Sequence, residues 1–202
     1  MLFRNTVSEY ALELLKRINY HKAFDDFFLV GGTSLALQIG HRISVDLDFF
    51  SSQSFDENKL AEILIKDFNA SITNLNNNTV SGTIDTVKFD FISHQYKLLQ
   101  PVNEIEEIRF SSVDDIAAMK INAINNRGTK KDFVDMFFLI QSKPLSQILD
   151  LASKKYPNYN RFLALKSLIY FEDANNQPDC NILSDTSWEE IKSSIRKAVT
   201  EI

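Results

Sequence analysis

Apolar positions recur at helical spacing over residues 6–20, where Val7, Ala11, Leu14, Leu15 and Ile18 share one face. Phe27-Phe28-Leu29-Val30 is a short unbroken apolar run that stops at Gly31-Gly32. That is the pattern of a buried strand closed by a turn. Thr33-Ser34 then opens a short helix over 35–39, with Gly40 as its C-terminal cap. Residues 43–50 read as a second strand. Asp56 is placed to cap a helix over 57–68, whose stripe is Leu60, Ile63, Leu64 and Phe68. Residues 71–92 alternate and turn in strand fashion, with strands at 71–73, 79–84 and 87–92. A short strand follows at 107–110.

From Ser112 the period becomes helical. Ser112 and Asp115 have the spacing of a capping box ahead of a helix reaching about Asn126, with Gly128 just past it. Thr129 and Asp132 repeat that spacing before an apolar helix over 133–140, which Pro144 ends. Further helices are expected at 145–155, 160–170 and 187–200. The pattern therefore divides the chain into an α/β half over 1–110 and an all-helical half over 111–202.

Composition narrows the function classes. The chain has 202 residues, 44% hydrophobic and 24% charged, within the ordinary range for one globular domain with a modest appendage. Cys180 is the only cysteine, which excludes an intrachain disulfide framework and any multi-cysteine zinc or iron–sulfur site. The net charge of −5 excludes a general basic coat for nucleic acid and leaves room for a local basic patch. The N-terminal stretch lacks the apolar core and cleavage site of a signal peptide, and no apolar run nears the roughly 20 residues that span a bilayer. The expectation is a cytoplasmic chain with no membrane partner.

The candidate chemistry lies in Val45-Asp46-Leu47-Asp48-Phe49 and the double glycine before it. On a strand, Val45, Leu47 and Phe49 would face one way and Asp46 and Asp48 the other. Two carboxylates ~7 Å apart on one face repel unless a cation stands between them. Mg²⁺ suits them, because it takes oxygen ligands, keeps waters and accepts substrate phosphates. Val87-Lys88-Phe89-Asp90-Phe91 supplies a third acid, Asp90, by the same alternation. A strand that stops at Gly31-Gly32 and enters a helix lets backbone N–H groups approach a phosphate, with Thr33 or Ser34 adding a hydroxyl. An Asp-x-Asp or a Gly-Gly turn alone fits an ordinary solvated strand edge. Their combination with Asp90 points to phosphoryl or nucleotidyl transfer.

Gly31-Gly32-Thr33-Ser34 with Asp46-Leu47-Asp48-Phe49-Phe50 resembles the signature of the polymerase-beta-type nucleotidyltransferase superfamily. With Asp114-Asp115-Ile116-Ala117-Ala118-Met119-Lys120, Arg127-Gly128 and Lys131-Asp132-Phe133-Val134-Asp135, it resembles more closely the AbiEii abortive-infection toxin family. The resemblance covers residues 25–140. It implies an α+β fold: a mixed β-sheet nucleotidyltransferase core flanked by helices, then a helical half that completes the active-site cleft. It implies Mg²⁺, two ions in all, and a nucleoside triphosphate donor. Asp46, Asp48 and Asp90 would be metal ligands, with Asp90 also activating the acceptor hydroxyl. Gly31, Gly32, Thr33 and Ser34 would hold donor phosphate. Some relatives are toxins that add nucleotides to tRNA 3′ ends, with a separately encoded antitoxin. A nucleotide- or partner-binding module that has lost turnover is one alternative, against which the three intact acids argue; a two-metal hydrolase using the same acids is another.

A second cluster follows on the helical half. Lys120 and Arg127 are seven apart and share a helix face, with Lys130 and Lys131 beyond. On spacing alone, Lys120 reads as solvated and Arg127 as complementing a helix C-terminus. The resemblance reverses that order: Lys120 would neutralise triphosphate and Arg127 would fork onto phosphate or base, with Lys131 near. Asp132 suffices as the capping partner of Thr129. Asp135 lies among apolar residues and needs a cation, for which Arg127 and Lys131 are at hand. Both acids read as supports for the basic residues. Arg42 is expected near donor phosphate and His41 to pack or face solvent. Lys154-Lys155, Arg161 with Lys166, and Arg196-Lys197 read as solvated faces.

Overall fold

The computed structural model describes residues 1–202. The chain divides into two compact units, Met1–Gly40 with Ser44–Lys97 and Pro101–Ser111, and His41–Ile43 with Leu98–Gln100 and Ser112–Ile202. No helix is long and apolar enough to cross a membrane.

The first unit carries α1 (Glu9–Tyr20), β1 (Phe27–Val30), α2 (Gly31–Ile39), β2 (Leu47–Ser51), α3 (Glu57–Phe68), β3 (Ser71–Asn76), β4 (Thr79–Ile84), β5 (Val87–Ser93), β6 (Asn103–Ile105) and β7 (Ile108–Phe110). The strands form one mixed sheet in the order β3-β4-β5-β2-β1-β7-β6. β2 runs parallel to β5 and β1 parallel to β7, while the other neighbours are antiparallel. All four residues of β1 are buried, as its unbroken apolar run demands of a strand with a neighbour on each side.

Aromatic packing sets the register that matters. Phe49 of β2 and Phe91 of β5 are register partners, and their rings stack at 4.6 Å. Phe24 stacks on Phe91 from the same core at 5.1 Å. A slip of one residue would turn these rings out and carboxylates in, so the core specifies the pairing strongly.

The second unit holds α4 (Val113–Asn126), α5 (Lys130–Ser142), α6 (Leu145–Lys155), α7 (Arg161–Leu168), α8 (Glu172–Asn175) and α9 (Trp188–Thr200). Ser112 caps α4 by accepting the Asp115 N–H, and Gly128 follows the helix with a φ of +49°. Trp188 packs edge-on against Phe133 and Phe171, with Ile191 and Ile195 buried behind it.

Several boundaries differ from those the sequence predicts, among them the start of α5 at Lys130 rather than 133 and the end of β3 at Asn76 rather than 73. α2 begins at Gly31, not 35, because the double glycine is its first turn rather than a loop before it. β2 begins at Leu47, not 43, and Val45 is 65% exposed rather than core-facing. The reason is that Ile43 N–H donates to the Asn181 carbonyl and Arg42 bridges Ile182, so residues 41–43 pair outside the sheet. Finally β6 and α8 form from short segments that carry little periodicity.

Candidate active site

Asp48 and Asp90 are register partners on adjacent parallel strands, so their side chains share one face of the sheet. Both are half-buried, opposite Leu47, Phe49, Phe89 and Phe91 of the core. Asp46 stands just before β2 rather than within it, also half-buried. The Thr33 hydroxyl bonds the Asp46 carbonyl and lies 2.8 Å from Ser44 Oγ. That pair of bonds ties the approach to β2 to the first turn of α2.

Gly31 makes this closeness possible. Its φ is +70°, the left-handed region, at the point where β1 passes into α2. A Cβ there would lie 3.2 Å from Asp48 Cγ and overlap the carboxylate oxygen itself. The Asp48 carboxylate therefore sits against the N-terminus of α2, where unpaired N–H groups and the helix dipole favour negative charge. Ser34 is buried in the same helix and its Oγ accepts from the Gln38 amide at 3.1 Å, which leaves the serine's own hydrogen to be donated. Gln38 also donates to the Ser111 carbonyl at 3.1 Å, a support that no sequence motif announces.

The acids do not close into a group of three metal-binding side chains. The donors at Asp46 and Asp48 are all carboxylate oxygens, the ligand class of Mg²⁺, and the missing Gly31 Cβ leaves Asp48 room. These residues fit Mg²⁺ as a partial shell that water and substrate oxygens complete.

In the helical unit, Asp135 is buried and holds three cationic or imidazole partners. Arg42 Nε donates to its Oδ1 at 2.6 Å and Nη2 to its Oδ2 at 3.2 Å; His41 Nε2 lies 2.7 Å from Oδ1 and Lys120 Nζ 2.5 Å from Oδ2. Lys120 also reaches Asp132 at 3.0 Å, and Arg127 forks onto Asp132 at 2.9 and 3.1 Å. The Thr129 hydroxyl donates to the same carboxylate at 2.6 Å, so Asp132 is a capping partner as expected. Burial pushes the Asp135 and Asp132 carboxyls up. The charge of Lys120, with Arg42 at Asp135 and Arg127 at Asp132, overrides it and holds both well below the usual carboxylate range. Burial pulls the Lys120 ammonium down, and the two carboxylates more than restore it. Among these five charges three are cations, which leaves one positive charge over.

Several expectations are revised here. Lys120, expected to neutralise triphosphate, is only 5% exposed and has its ammonium between two carboxylates. Asp135 takes Arg42, Lys120 and His41, not Arg127 or Lys131; the cations nearest in sequence are not those brought near by the fold. Arg42 is buried on Asp135 and belongs with the helical unit. Lys131 is exposed. Lys155, read as a solvated basic residue, is fully buried with its Nζ 2.8 Å from Asp115. Burial pushes Cys180 up, which keeps this thiol protonated and poorly nucleophilic.

The mixed seven-stranded sheet flanked by helices is an α+β nucleotidyltransferase fold. Residues 13–201 match the family described as nucleotidyl transferase AbiEii toxin, type IV TA system, and the chain belongs to that family of transferase enzymes. An uncharacterized protein of Aquifex aeolicus (strain VF5) is 33% identical over 195 residues, 94% of each chain. Among solved structures, JHP933 from Helicobacter pylori superposes with a TM-score of 0.60 at 22% identity, covering 96% of this chain and 92% of that one. The nucleotidyltransferase toxin MenT4 from Mycobacterium tuberculosis H37Rv superposes with a TM-score of 0.60 at 14% identity, covering 96% and 85%. At those identities the two structures speak for the fold.

Proposed function

We propose that the chain transfers a nucleoside monophosphate from a nucleoside triphosphate to a hydroxyl of RNA, with the 3′ end of tRNA as the acceptor. The observation that carries this reading is the register pairing of Asp48 with Asp90 beside the glycine start of α2. Asp46 and Asp48 would hold Mg²⁺, with water and substrate oxygens completing its shell. The metal supplies charge neutralisation on the triphosphate and polarisation of the phosphoryl oxygens. Asp90 takes the proton of the acceptor hydroxyl. The new bond joins the acceptor oxygen to the α-phosphorus, the bond from that phosphorus to the bridging oxygen breaks, and pyrophosphate leaves. Backbone N–H groups of Gly31, Gly32 and Thr33, with the Ser34 hydroxyl, cradle donor phosphate. Arg127 and Lys131 add charge toward nucleotide or RNA phosphates. Lys120, Asp132, Asp135 and Arg42 act as positioning residues: they fix the charge cluster without touching phosphate.

The family's description as a type IV toxin supports a second layer of the reading, growth arrest relieved by a separately encoded antitoxin. The test is incorporation of each labelled nucleoside triphosphate into total RNA with Mg²⁺, followed by gel analysis. Asp46→Asn with Asp48→Asn should lower incorporation at least ~1,000-fold, matching the several kcal/mol such charge stabilisation is worth. The pair should also abolish growth arrest on expression. Activity that survives the double change would refute the assignment, and nucleotide release from RNA with no triphosphate requirement would make the chain a hydrolase instead.

A further inference from the structure

A cavity of about 590 Å³ opens in the helical unit where the end of α4 faces the end of α7 and the start of α8. Arg127 and Lys166 bring positive charge, and the Arg127 side chain stays 56% exposed while it forks onto Asp132. Tyr170 is 54% exposed and offers an open ring face. Asn125 lines the cavity and its Oδ1 is buried without a hydrogen-bond partner. Asp173 adds a carboxylate to the wall. One helical turn before Tyr170, Lys166 holds its ammonium 4.5 Å from the centroid of exposed Phe162.

Cations interleaved with exposed aromatic rings make a platform for unpaired bases, since every base has a face to stack and every step a phosphate to neutralise. The remaining groups narrow the ligand. A carboxylate repels bare polyphosphate and can accept from a ribose 2′-hydroxyl, the group that separates RNA from DNA.

We infer that this cavity binds a nucleotide of the single-stranded RNA acceptor: base on Tyr170, flanking phosphates on Arg127 and Lys166, and 2′-hydroxyl toward Asp173. The inference rests on the proposed transfer to RNA and gives that acceptor a subsite apart from the paired acids. The cavity's mixed charge and open ring argue against an apolar peptide as its occupant.

The test uses the full chain carrying Asp46→Asn and Asp48→Asn, so that binding is read without turnover. A fluorescein-labelled 12-nucleotide single-stranded RNA and the DNA of the same sequence are titrated in polarisation assays. RNA should bind more tightly than DNA. Tyr170→Ala should weaken RNA binding by ~5- to 150-fold, the range for loss of one stacked base, and Lys166→Glu should weaken it and flatten its dependence on salt. Asp173→Ala should narrow the gap between RNA and DNA. Millimolar nucleoside triphosphate should not displace the RNA. Unchanged RNA affinity in both variants overturns the inference and leaves this surface to a protein partner; displacement by triphosphate overturns it by assigning the cavity to the donor. Thermal melting of each variant checks the fold. Labelled incorporation by the otherwise unaltered chain separates the two claims. If RNA is labelled with the same KM in Tyr170→Ala as in the parent, the subsite fails and the transferase stands. If no RNA is labelled at all, the transfer reading itself fails.

Discussion

Gly31 and Asp48 show how one backbone angle can decide a site. The φ of +70° costs a non-glycine residue about 1–2 kcal/mol, and any side chain there meets the Asp48 carboxylate. Gly31→Ala should therefore lower stability by roughly that amount in urea unfolding, while nucleotide incorporation falls much further than the stability loss explains. Incorporation that merely tracks stability would mean the close approach is not used. At Asp135 the balance is electrostatic. Asp135→Asn leaves buried Arg42 without its countercharge and Lys120 with Asp132 alone, and should cost about 3–5 kcal/mol. Of these residues, the acids of β2 and β5 were legible because alternation on a strand is a local pattern. The partners of Asp135 were not, since Arg42 and Lys120 reach it from far along the chain and only folding selects them over Arg127.

At the scale of elements, helix caps and strand alternation carried the reading furthest. Ser112, Asp56 and Thr129 cap the helices where their spacing places them. Boundaries failed where an element depends on distant backbone: the approach to β2 stays irregular because its residues bond to the 181–182 segment, which no local pattern foretells. The buried pair joining α4 to α6 was equally hidden. Asp115 takes Lys155 at 2.8 Å and also the N–H groups of Leu99 and Gln100, at 3.0 and 3.1 Å. Because the backbone donors remain, Lys155→Met should cost about 3 kcal/mol, the low end for breaking a buried pair. Adding Asp115→Asn to it should recover part of that loss in the same unfolding assay.

For the molecule as a whole, the depressed acids set the response to pH. Asp115, Asp132 and Asp135 each have the carboxyl held below its ordinary value by facing cations that outweigh burial. The unfolded carboxyls titrate near ~3.9, so the stability these groups contribute is complete above that value and drains away as pH falls toward the lower folded values. Urea midpoints should hold from these groups between about pH 7 and 5 and drop steeply below about pH 4. In Asp135→Asn that drop should be shallower; an equally steep drop would move the acid sensitivity elsewhere. The sequence expectation of two consecutive halves, 1–110 and 111–202, contrasts with two units that interleave in the chain. The detour of residues 41–43 was not anticipated.

That detour has a consequence for how the gene can be divided. The helical unit takes His41–Ile43 from the middle of the sheet-bearing stretch, and its buried Asp135 bonds both His41 and Arg42. The units are interleaved in the chain rather than concatenated. A single cut between Ser111 and Ser112 would give one fragment with a buried arginine lacking its carboxylate and another with the carboxylate lacking its arginine. Such halves are expected to recover the fold only by fragment complementation, and a shuffled gene could not exchange the helical half as a cassette without carrying residues 41–43 along with it.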